Sequence, residues 1–458
     1  MLRTILLTLC LATPLCAEQV KIPQSRAEMQ LSFVPLVKQA TPAVVNIYAR
    51  IMAEPQRTPL QRDPFFRRFF GDPEAVKPRV QNSLGSGVIL SSDGIIVSNH
   101  HVVGMATDIR VALSDRREYT ARVLLADEDS DLAILKIDAE DLPHLPLRDS
   151  DTVEVGELVL AIGNPFGVGQ TVSSGIVSGL ARSGGGGGSG RGYYIQTDAP
   201  INPGNSGGAL IDTEGRLIGI NTSILSRSGG SNGIGFAIPA DLVGAFVAQA
   251  RAGKGYFERP WAGMRGQPVD SDLALSIGLD PPGGLIVSDR HDASPFAAAG
   301  VDVGDVITAV NGQPVNTASE MVYRMSVIGL GKAARITRFR DGAFEDVEVL
   351  LIAAPDDPPR EEMQLGRRSI LPGLTLSRIN PAVTAANNLP FDAEGVLVLD
   401  AGDVAPRVGF RDGDVILAIN GASVTRPAEV RDAFDLRLRG YDVTVQRGAR
   451  RLALRFRV

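Results

Sequence analysis

Short apolar runs, separated by Gly, Asn and Asp, alternate along residues 83–240 and predict β-strands. Clear examples are the runs at 87–90, 95–98, 109–113 and 132–137, and an earlier run at 43–48 predicts one more strand. Short strands at this spacing indicate an all-β barrel or sandwich. The spacing changes to a helical one at 241–253, with Asp241 as the predicted cap, so a helix is expected to close this β-rich domain.

An internal repeat organises the rest of the chain. Residues 299–315 read AGVDVGDVITAVNGQPV and residues 408–424 read VGFRDGDVILAINGASV, and nine of these 17 positions are identical. Each copy predicts a strand, at 306–310 and 415–419, that runs into an Asn-Gly turn. Helices are predicted after each copy, near 318–328 and 427–436. A repeat of this kind predicts two related domains, one following the other.

Composition limits the class of protein. A length of 458 residues predicts about two to four domains, and 44% hydrophobic with 21% charged residues is typical of a globular protein. The formal net charge of −6 gives no reason to propose nucleic acid as a partner. No run beyond the N-terminal region approaches the roughly 18 apolar residues that a membrane span needs.

Residues 1–17 read as a secretory signal peptide. Arg3 supplies the positive start, an apolar stretch follows at 5–12, and cleavage is expected near Ala17. Both cysteines, Cys10 and Cys16, lie inside this segment, so the exported chain would contain none. That would exclude disulfides, thiol catalysis and cysteine-bound metal. The alternatives are a buried N-terminal helix and lipid attachment at Cys16.

The Gly-Asn-Ser-Gly-Gly segment at 204–208 is the main candidate for chemistry. Such a segment is ordinary turn material when taken alone, but a serine nucleophile beside an oxyanion hole needs the same residues. His101 follows the apolar strand at 94–98, near the point where that strand ends, and Asp131 stands directly before the apolar run at 132–137. The order His101, Asp131, Ser206 matches one known triad arrangement, in which histidine accepts the serine proton and the carboxylate orients the imidazole. The N–H groups of Gly204 and Ser206, with Asn205 between them, would form the oxyanion hole.

The other three histidines are not assigned to the triad. His144 lies in a proline-bounded loop, His291 in a polar turn, and His100 directly beside His101. No His/Asp/Glu cluster has the spacing of metal ligands, so we predict neither a metal nor a cofactor.

Three segments together resemble the HtrA/Deg family of serine proteases: Ser-Asn-His-His-Val-Val at 98–103, Ser-Asp-Leu-Ala at 130–133, and the stretch 197–210 around Ser206. The family motif around the histidine is usually Thr-Asn-Asn-His-Val-Val, so His101 aligns with the catalytic histidine and His100 replaces an asparagine. The resemblance implies a mainly β fold, with a chymotrypsin-like double β-barrel protease domain followed by two PDZ domains. The expected bounds are 18–255 for the protease domain, 256–353 and 369–458 for the PDZ domains, and 354–368 for the linker between them.

The resemblance also assigns residues outside the triad. Trp261, Ala262, Gly263 and Met264 resemble the carboxylate-binding loop of the first PDZ domain, with a weaker counterpart at 372–376 in the second. Ile195 and Leu225 resemble positions that line the specificity pocket, although a role in the core explains them equally well. The segment 182–191 corresponds to a loop that relays peptide binding to the active site. Arg182 would anchor it beside a flexible glycine run.

The function implied by the resemblance is an ATP-independent serine endopeptidase that degrades misfolded or unfolded exported proteins in the periplasm. Peptides bound by the PDZ domains would regulate it, and its partners would be unfolded polypeptides and peptide C-termini. A homotrimer, or a multiple of trimers, is expected. The phenylalanine-rich segment at 65–70 either contributes to these contacts or packs locally. The alternative function is a periplasmic holdase or peptide-binding scaffold with weak proteolysis.

Overall fold

The computed structural model describes residues 32–53, 79–104, 106–163, 170–182, 193–202, 204–224, 232–436 and 438–457. The predictions for the signal peptide at 1–17, the segment at 65–70, the glycine run at 184–188 and Leu225 lie outside these residues. Across the described ranges, no helix has the length and apolar character that a membrane crossing requires.

Two closed six-stranded barrels form the first half of the fold, which confirms the predicted double barrel. The first barrel has the strand order β1-β2-β3-β6-β5-β4, and the second has the order β10-β11-β12-β9-β8-β7. The strands of the first are β1 (Val44–Ala53), β2 (Arg79–Ile89), β3 (Ile95–Ser98), β4 (Ala106–Ala112), β5 (Glu118–Asp127) and β6 (Leu132–Ile137). Those of the second are β7 (Leu158–Gly163), β8 (Thr171–Arg182), β9 (Tyr194–Thr197), β10 (Ala209–Ile211), β11 (Leu217–Ile224) and β12 (Gly235–Pro239).

Eight helices accompany the sheets within the described residues. They are α1 (Val34–Ala40), α2 (His100–Val103), α3 (Ala240–Arg251), α4 (Ser271–Ile277), α5 (Pro295–Ala298), α6 (Ala318–Ile328), α7 (Pro381–Ala386) and α8 (Pro427–Asp435). Helix α3 closes the barrel domain as predicted, and one buried cluster joins its Phe246 to Val88 of the first barrel and Ile220 of the second. The barrels and the helix therefore share a hydrophobic core.

The predicted cap of α3 is wrong. Pro239 precedes the helix, and Asp241 lies inside its first turn. The Asp241 carboxylate accepts a hydrogen bond from the backbone N–H of Ser150 at 3.0 Å, so a distant loop uses the oxygen that a cap would offer to its own helix. Burial raises the pKa of this carboxyl group.

The second half of the fold contains two PDZ-like sheets, each with helices packed against it. The first has strands β13 (Met264–Pro268), β14 (Leu285–Arg290), β15 (Val306–Val310), β16 (Gln313–Pro314), β17 (Ala333–Arg340) and β18 (Ala343–Leu350). The second has strands β19 (Met363–Gln364), β20 (Thr375–Arg378), β21 (Val396–Asp400), β22 (Val415–Ile419), β23 (Ala422–Ser423), β24 (Tyr441–Arg447) and β25 (Arg450–Phe456). Strand β19 comes from the segment interpreted as a linker, so part of that segment belongs to the second sheet.

The Gly-Asp-Val-Ile element of the repeat places the same buried ion pair in both copies. Asp305 is 2% exposed and accepts a two-pronged contact from Arg340, while Asp414 is 0% exposed and binds Arg447 at 2.7 Å through each oxygen. Each carboxylate also accepts a backbone N–H from the residue three positions earlier in the turn, at 2.9 Å. The aspartate is thus a structural residue that ties the turn before the central strand to a neighbouring strand.

Replacing Asp305 with alanine tests this pair. Burial raises the pKa of Asp305, but hydrogen bonds from Arg340 and the Asp302 N–H outweigh it and hold the pKa below its usual value. In the unfolded chain the pKa of an aspartate is about 4, so the pair contributes its full stabilisation above about pH 4. This stabilisation is lost as the pH falls through the lower pKa that Asp305 has in the folded domain. We expect Asp305→Ala to lower the free energy of unfolding by about 3 kcal/mol at pH 7.

The single tryptophan, Trp261, lies in the same domain and reports its unfolding by fluorescence in urea. Exposed Asp292 provides a matched control, because Asp292→Ala changes the charge equally without removing a buried pair. An equal loss of stability in the two variants, or a loss for Asp305→Ala that persists undiminished in strong acid, would contradict this role.

Candidate active site

His101 and Asp131 meet at one end of the first barrel. Helix α2 follows strand β3 and carries His101, whereas Asp131 stands just before β6, which pairs with β3. The Nδ1 atom of His101 lies 2.9 and 2.8 Å from the two carboxylate oxygens of Asp131. The backbone N–H of His101 also donates to this carboxylate, at 3.0 Å. The carboxylate therefore determines both the position of the helix and the orientation of the ring.

The backbone at Asp131 is left-handed, with φ of 52°. A tight turn imposes this conformation, since the N–H of Asp131 donates to the carbonyl of Glu128 at 3.1 Å. The amide of Asn99 then holds the carbonyl of Asp131 at 2.9 Å. Left-handed backbone is uncommon for aspartate, so these contacts stabilise a conformation that directs the side chain to His101.

Ser206 lies in a turn that the first barrel holds in place. The N–H of Ser86 donates to the carbonyl of Ser206 at 2.9 Å, and the Ser86 hydroxyl donates to the carbonyl of Gly204 at 2.7 Å. Gly207 has a φ of 82°, and a Cβ at this position would lie 2.1 Å from the Ser86 carbonyl oxygen. Glycine is therefore required at position 207, because a side chain would separate the turn from the barrel.

The backbone N–H groups of residues 204–206 differ in whether they donate to a backbone carbonyl. The N–H of Asn205 donates to the carbonyl of Asn202 at 2.9 Å, so it serves the turn itself. Within the described residues, neither the N–H of Gly204 nor that of Ser206 donates to a backbone carbonyl. The two N–H groups predicted to bind an oxyanion are thus the ones left without a backbone acceptor, while Asn205 shapes the turn between them.

The serine hydroxyl does not point to the imidazole in this state. Ser206 Oγ donates to the carbonyl of Thr222 at 3.0 Å, and no hydrogen bond between the described residues joins it to His101. A rotation of the Ser206 side chain is therefore needed before the imidazole can accept its proton. The structure brings the three predicted residues to one site and leaves this last contact unmade.

Thr222 is a functional candidate that the sequence analysis missed. Its hydroxyl donates to Asp131 Oδ2 at 2.5 Å, while its carbonyl accepts the Ser206 hydroxyl. Burial raises the pKa of Asp131, but hydrogen bonds from His101 and Thr222 outweigh it and keep the pKa below its usual value. The carboxylate is therefore charged at neutral pH and can stabilise an imidazolium. No local pattern marks Thr222, because 91 residues separate it from Asp131.

The remaining histidines lie apart from this arrangement. The ring of His100 folds over Gly104 of the next turn, where an added Cβ would lie 2.2 Å from its Nε2 atom. His144 contacts the carbonyl of Leu142 at 3.2 Å, and His291 packs against Trp261 in the first PDZ domain. Among the described residues, no group of three or more His, Cys, Asp or Glu is placed to hold a metal ion.

The predicted site residues outside the triad lie in three places. Ile195 is 1% exposed and belongs to a buried cluster of the second barrel that includes Leu210 and Ile218. The backbone of Arg182 pairs with Tyr194 at the end of β8. Trp261, Ala262, Gly263 and Met264 line a cavity of about 350 Å³, which also contacts Val322 and Ser326 of α6. The predicted carboxylate-binding loop therefore borders a groove between β13 and α6.

Comparisons with known proteins agree with this architecture. Residues 85–220 match the trypsin-like peptidase domain, and residues 262–351 match the PDZ domain. A protein of Pseudomonas fluorescens named probable periplasmic serine endoprotease DegP-like is 39% identical over 445 residues, which cover 92% of this chain and 90% of that protein.

Two solved structures of the HtrA-type protease AlgW are also similar to this chain. The one with a tripeptide is 37% identical with a TM-score of 0.54, covering 72% of this chain and 99% of its own. The one with a decapeptide is 40% identical with a TM-score of 0.52, covering 71% and 99%.

Replacing Thr222 with valine should slow catalysis without weakening substrate binding. The change keeps the side-chain shape and removes the hydroxyl that donates to Asp131, and a hydrogen bond to a charged group contributes about 1.5–3 kcal/mol. We expect kcat to fall by about 10- to 100-fold with KM nearly unchanged, measured with a fluorogenic peptide. Thr222→Ser keeps the hydroxyl and should retain most of the activity. Equal kcat values for Thr222→Val and the wild type would exclude the role.

Proposed function

The chain belongs to the HtrA/Deg family of serine endoproteases, and we propose that it hydrolyses unfolded polypeptides through His101, Asp131 and Ser206 under the control of its first PDZ domain. It is a serine endoprotease with PDZ domains. The single observation that supports the residue assignment is the contact of His101 Nδ1 with Asp131, beside a serine turn that the same barrel anchors.

The proposed reaction is acyl transfer to the serine. Ser206 Oγ attacks the scissile carbonyl while Nε2 of His101 accepts its proton, and Asp131 stabilises the imidazolium. The oxyanion binds to the N–H groups of Gly204 and Ser206, each contributing about 3–4 kcal/mol in the transition state. The imidazolium then protonates the leaving amine, and water attacks the acyl-enzyme by the same route. The first step requires Ser206 Oγ to leave the carbonyl of Thr222.

Contacts between the protease domain and the first PDZ domain support the proposed control. Arg259 stands two residues before Trp261, the first residue of the predicted carboxylate-binding loop. Its guanidinium binds Asp127 at 2.9 Å and the hydroxyl of Ser130 at 2.7 Å. These two residues belong to the turn that ends at Asp131. A peptide that moves the loop would therefore act on the turn that carries the triad carboxylate.

A second contact lies beside the predicted regulatory loop. Tyr193 is the first described residue after 183–192, and it stacks on Tyr323 of α6 with ring centroids 4.0 Å apart. Arg324 lies over both rings and pairs with Asp151 of the protease domain. Because α6 forms one wall of the peptide groove, the stack connects that groove to the end of the loop. Arg182 stands at the other end of the same loop.

The specificity pocket proposed for Ile195 and Leu225 gains a further candidate. Ile201, which is 2% exposed, stands five residues before Ser206, and its Cδ1 atom lies 2.8 Å from the position of a Cβ added to Gly235. The absence of a side chain at Gly235 thus leaves room for Ile201. We include Ile201 among the residues that line a small apolar pocket, which would favour aliphatic side chains before the cleaved bond.

The cellular setting and the assembly are also part of the proposal. Relatives of this chain are named periplasmic serine endoproteases, and residues 1–17 have the pattern of an export signal with cleavage near Ala17. The expected assembly is a homotrimer or a multiple of trimers. The substrates are unfolded exported polypeptides, and the comparisons favour this enzyme over the alternative of a holdase with weak proteolysis.

Ser206→Ala should abolish cleavage of an unfolded model protein. Loss of a triad nucleophile typically lowers kcat by about a millionfold, because only the oxyanion donors and substrate binding remain. Gel analysis of substrate decay measures this, with Ser174→Ala, in β8 outside the site, as the matched control. Degradation at the wild-type rate by Ser206→Ala would refute the nucleophile. Strong suppression of aggregation by both proteins, with little cleavage by either, would favour the holdase.

Tyr323→Ala should weaken the coupling between peptide and protease. Without the stack on Tyr193, we expect the ratio of stimulated to basal cleavage to fall by about fivefold or more, since allosteric couplings are typically about 1–3 kcal/mol. The peptide concentration at half-stimulation should change little. The exposed Tyr256, at 63%, provides the control substitution Tyr256→Ala. Stimulation as strong as that of the wild type would exclude this route.

A further inference from the structure

The second PDZ domain has a strand on an edge that no described strand occupies in the first. In the first domain, β13 is an edge strand that pairs with β14 alone among the described strands. The equivalent strand of the second domain, β20, pairs with β21 on one side and with β19 on the other. Strand β19 lies within residues 360–365, and we call this six-residue segment the internal strand.

The internal strand lies where a bound peptide would lie. PDZ domains recognise a peptide by adding it as a strand to this edge, beside the helix that forms the opposite wall. In the second domain that helix is α8, which contacts β20. Met363 lies opposite Leu376 and Gln364 opposite Thr375 in an antiparallel ladder. The internal strand therefore runs antiparallel to β20, with its C-terminal end at the predicted carboxylate-binding loop.

Backbone hydrogen bonds extend this pairing at both ends, with a shift of one residue in register at Glu361, whose φ is 48°. The N–H of Leu365 donates to the carbonyl of Leu374 at 2.8 Å, and the N–H of Arg378 donates to the carbonyl of Arg360 at 2.6 Å. The N–H of Gly373, in the loop itself, donates to the carbonyl of Leu365 at 2.9 Å. The Leu365 carbonyl thus occupies a position at which the loop would receive a terminal carboxylate.

The side chains of the internal strand alternate between buried and exposed positions. Glu361, Met363 and Leu365 are partly or fully buried, whereas Glu362 and Gln364 are exposed. Leu365 is 3% exposed and belongs to one buried cluster with Leu374 of the loop end and Phe434 of α8.

Glu361 supplies a charged contact at the other end of the groove. Its carboxylate lies 2.9 Å from Arg426, the residue before α8, and 3.5 Å from Arg378 of β20. The groove therefore holds an aliphatic residue at the loop end and an acidic residue four positions earlier.

We propose that the groove of the second PDZ domain is a binding site for peptide C-termini that the chain fills with its own residues 360–365. Its external ligands would end in an aliphatic residue, with an acidic residue four positions before the end, and they would bind only by displacing the internal strand. In the first domain, no described strand occupies the equivalent position beside β13. This inference rests on the proposed role of the PDZ grooves in binding peptides.

The test is a gain of binding when the internal strand is released. Met363→Pro removes a backbone N–H from the ladder with β20, which proline cannot replace. The probe is the free-acid hexapeptide Arg-Glu-Glu-Met-Gln-Leu, a copy of residues 360–365, added to full-length protein carrying Ser206→Ala. Hydrogen exchange measured by mass spectrometry locates the bound peptide. We expect protection of Thr375–Arg378 to require at least tenfold less peptide in Met363→Pro than in the parent protein.

Gln364→Pro is the matched control. In an antiparallel ladder alternate residues face the partner strand, so the N–H of Gln364 faces away from β20 and its loss should leave binding as in the parent protein. Glu361→Lys is a second route to release, because it places a positive charge between Arg378 and Arg426 without touching the buried cluster. Glu361→Lys should also lower the peptide concentration that protects Thr375–Arg378. It serves as the test of the proposal if Met363→Pro fails to fold.

Protection of Thr375–Arg378 in the parent protein at the same peptide concentration as in the variants would overturn the proposal. So would variants in which residues 360–365 exchange freely while the peptide still gives no protection. The same spectra follow Met264–Pro268 in the first domain. Failure of every tested C-terminal peptide to protect that segment would count against the proposed peptide control and leave the inference on the second groove to be judged by Thr375–Arg378 alone.

Discussion

The carboxylate of Asp131 joins the two barrels at the active site. It accepts hydrogen bonds from His101 of its own barrel and from the hydroxyl of Thr222 in the other. Ser86 makes the reverse connection, because a strand of the first barrel holds the turn of the second that carries Ser206. The geometry of the site is therefore a property of how the barrels pack, and the shared core with α3 maintains it.

Local patterns predicted the elements that a single stretch of chain determines. Strands β3 and β6 and helix α6 have the bounds that periodicity indicated, and His101 and Asp131 stand at the ends of paired strands as expected. Thr222 was missed because its importance comes from a partner in another barrel. The cap at Asp241 was wrong for the same kind of reason, since Ser150 takes the oxygen that the helix was expected to use. Contacts between distant segments leave no periodic signal in the sequence.

The two PDZ copies show how a repeat preserves structure and changes function. The buried pairs of Asp305 and Asp414 are equivalent, because the central strand needs the same support in both copies. The segments that enter the two domains differ. Before the first domain, Glu258 exchanges two hydrogen bonds with Gln249 of α3, and Phe257 stacks on Phe246, so this segment is bound to the protease domain. In the part of the chain that the structure describes, the segment before the second domain makes no such contact with α3, and it pairs with β20 instead.

Because the internal strand is covalently linked to β20, its effective concentration determines how often the groove is occupied. A tethered ligand acts at an effective concentration on the order of millimolar. If its intrinsic dissociation constant were about 10 µM, the groove would be empty in about one molecule in a hundred, and a free peptide of equal strength would bind about a hundredfold more weakly than to an open groove. The second domain would then respond only when peptide ends become abundant. Two grooves built on one repeat would thereby cover different ranges of ligand concentration.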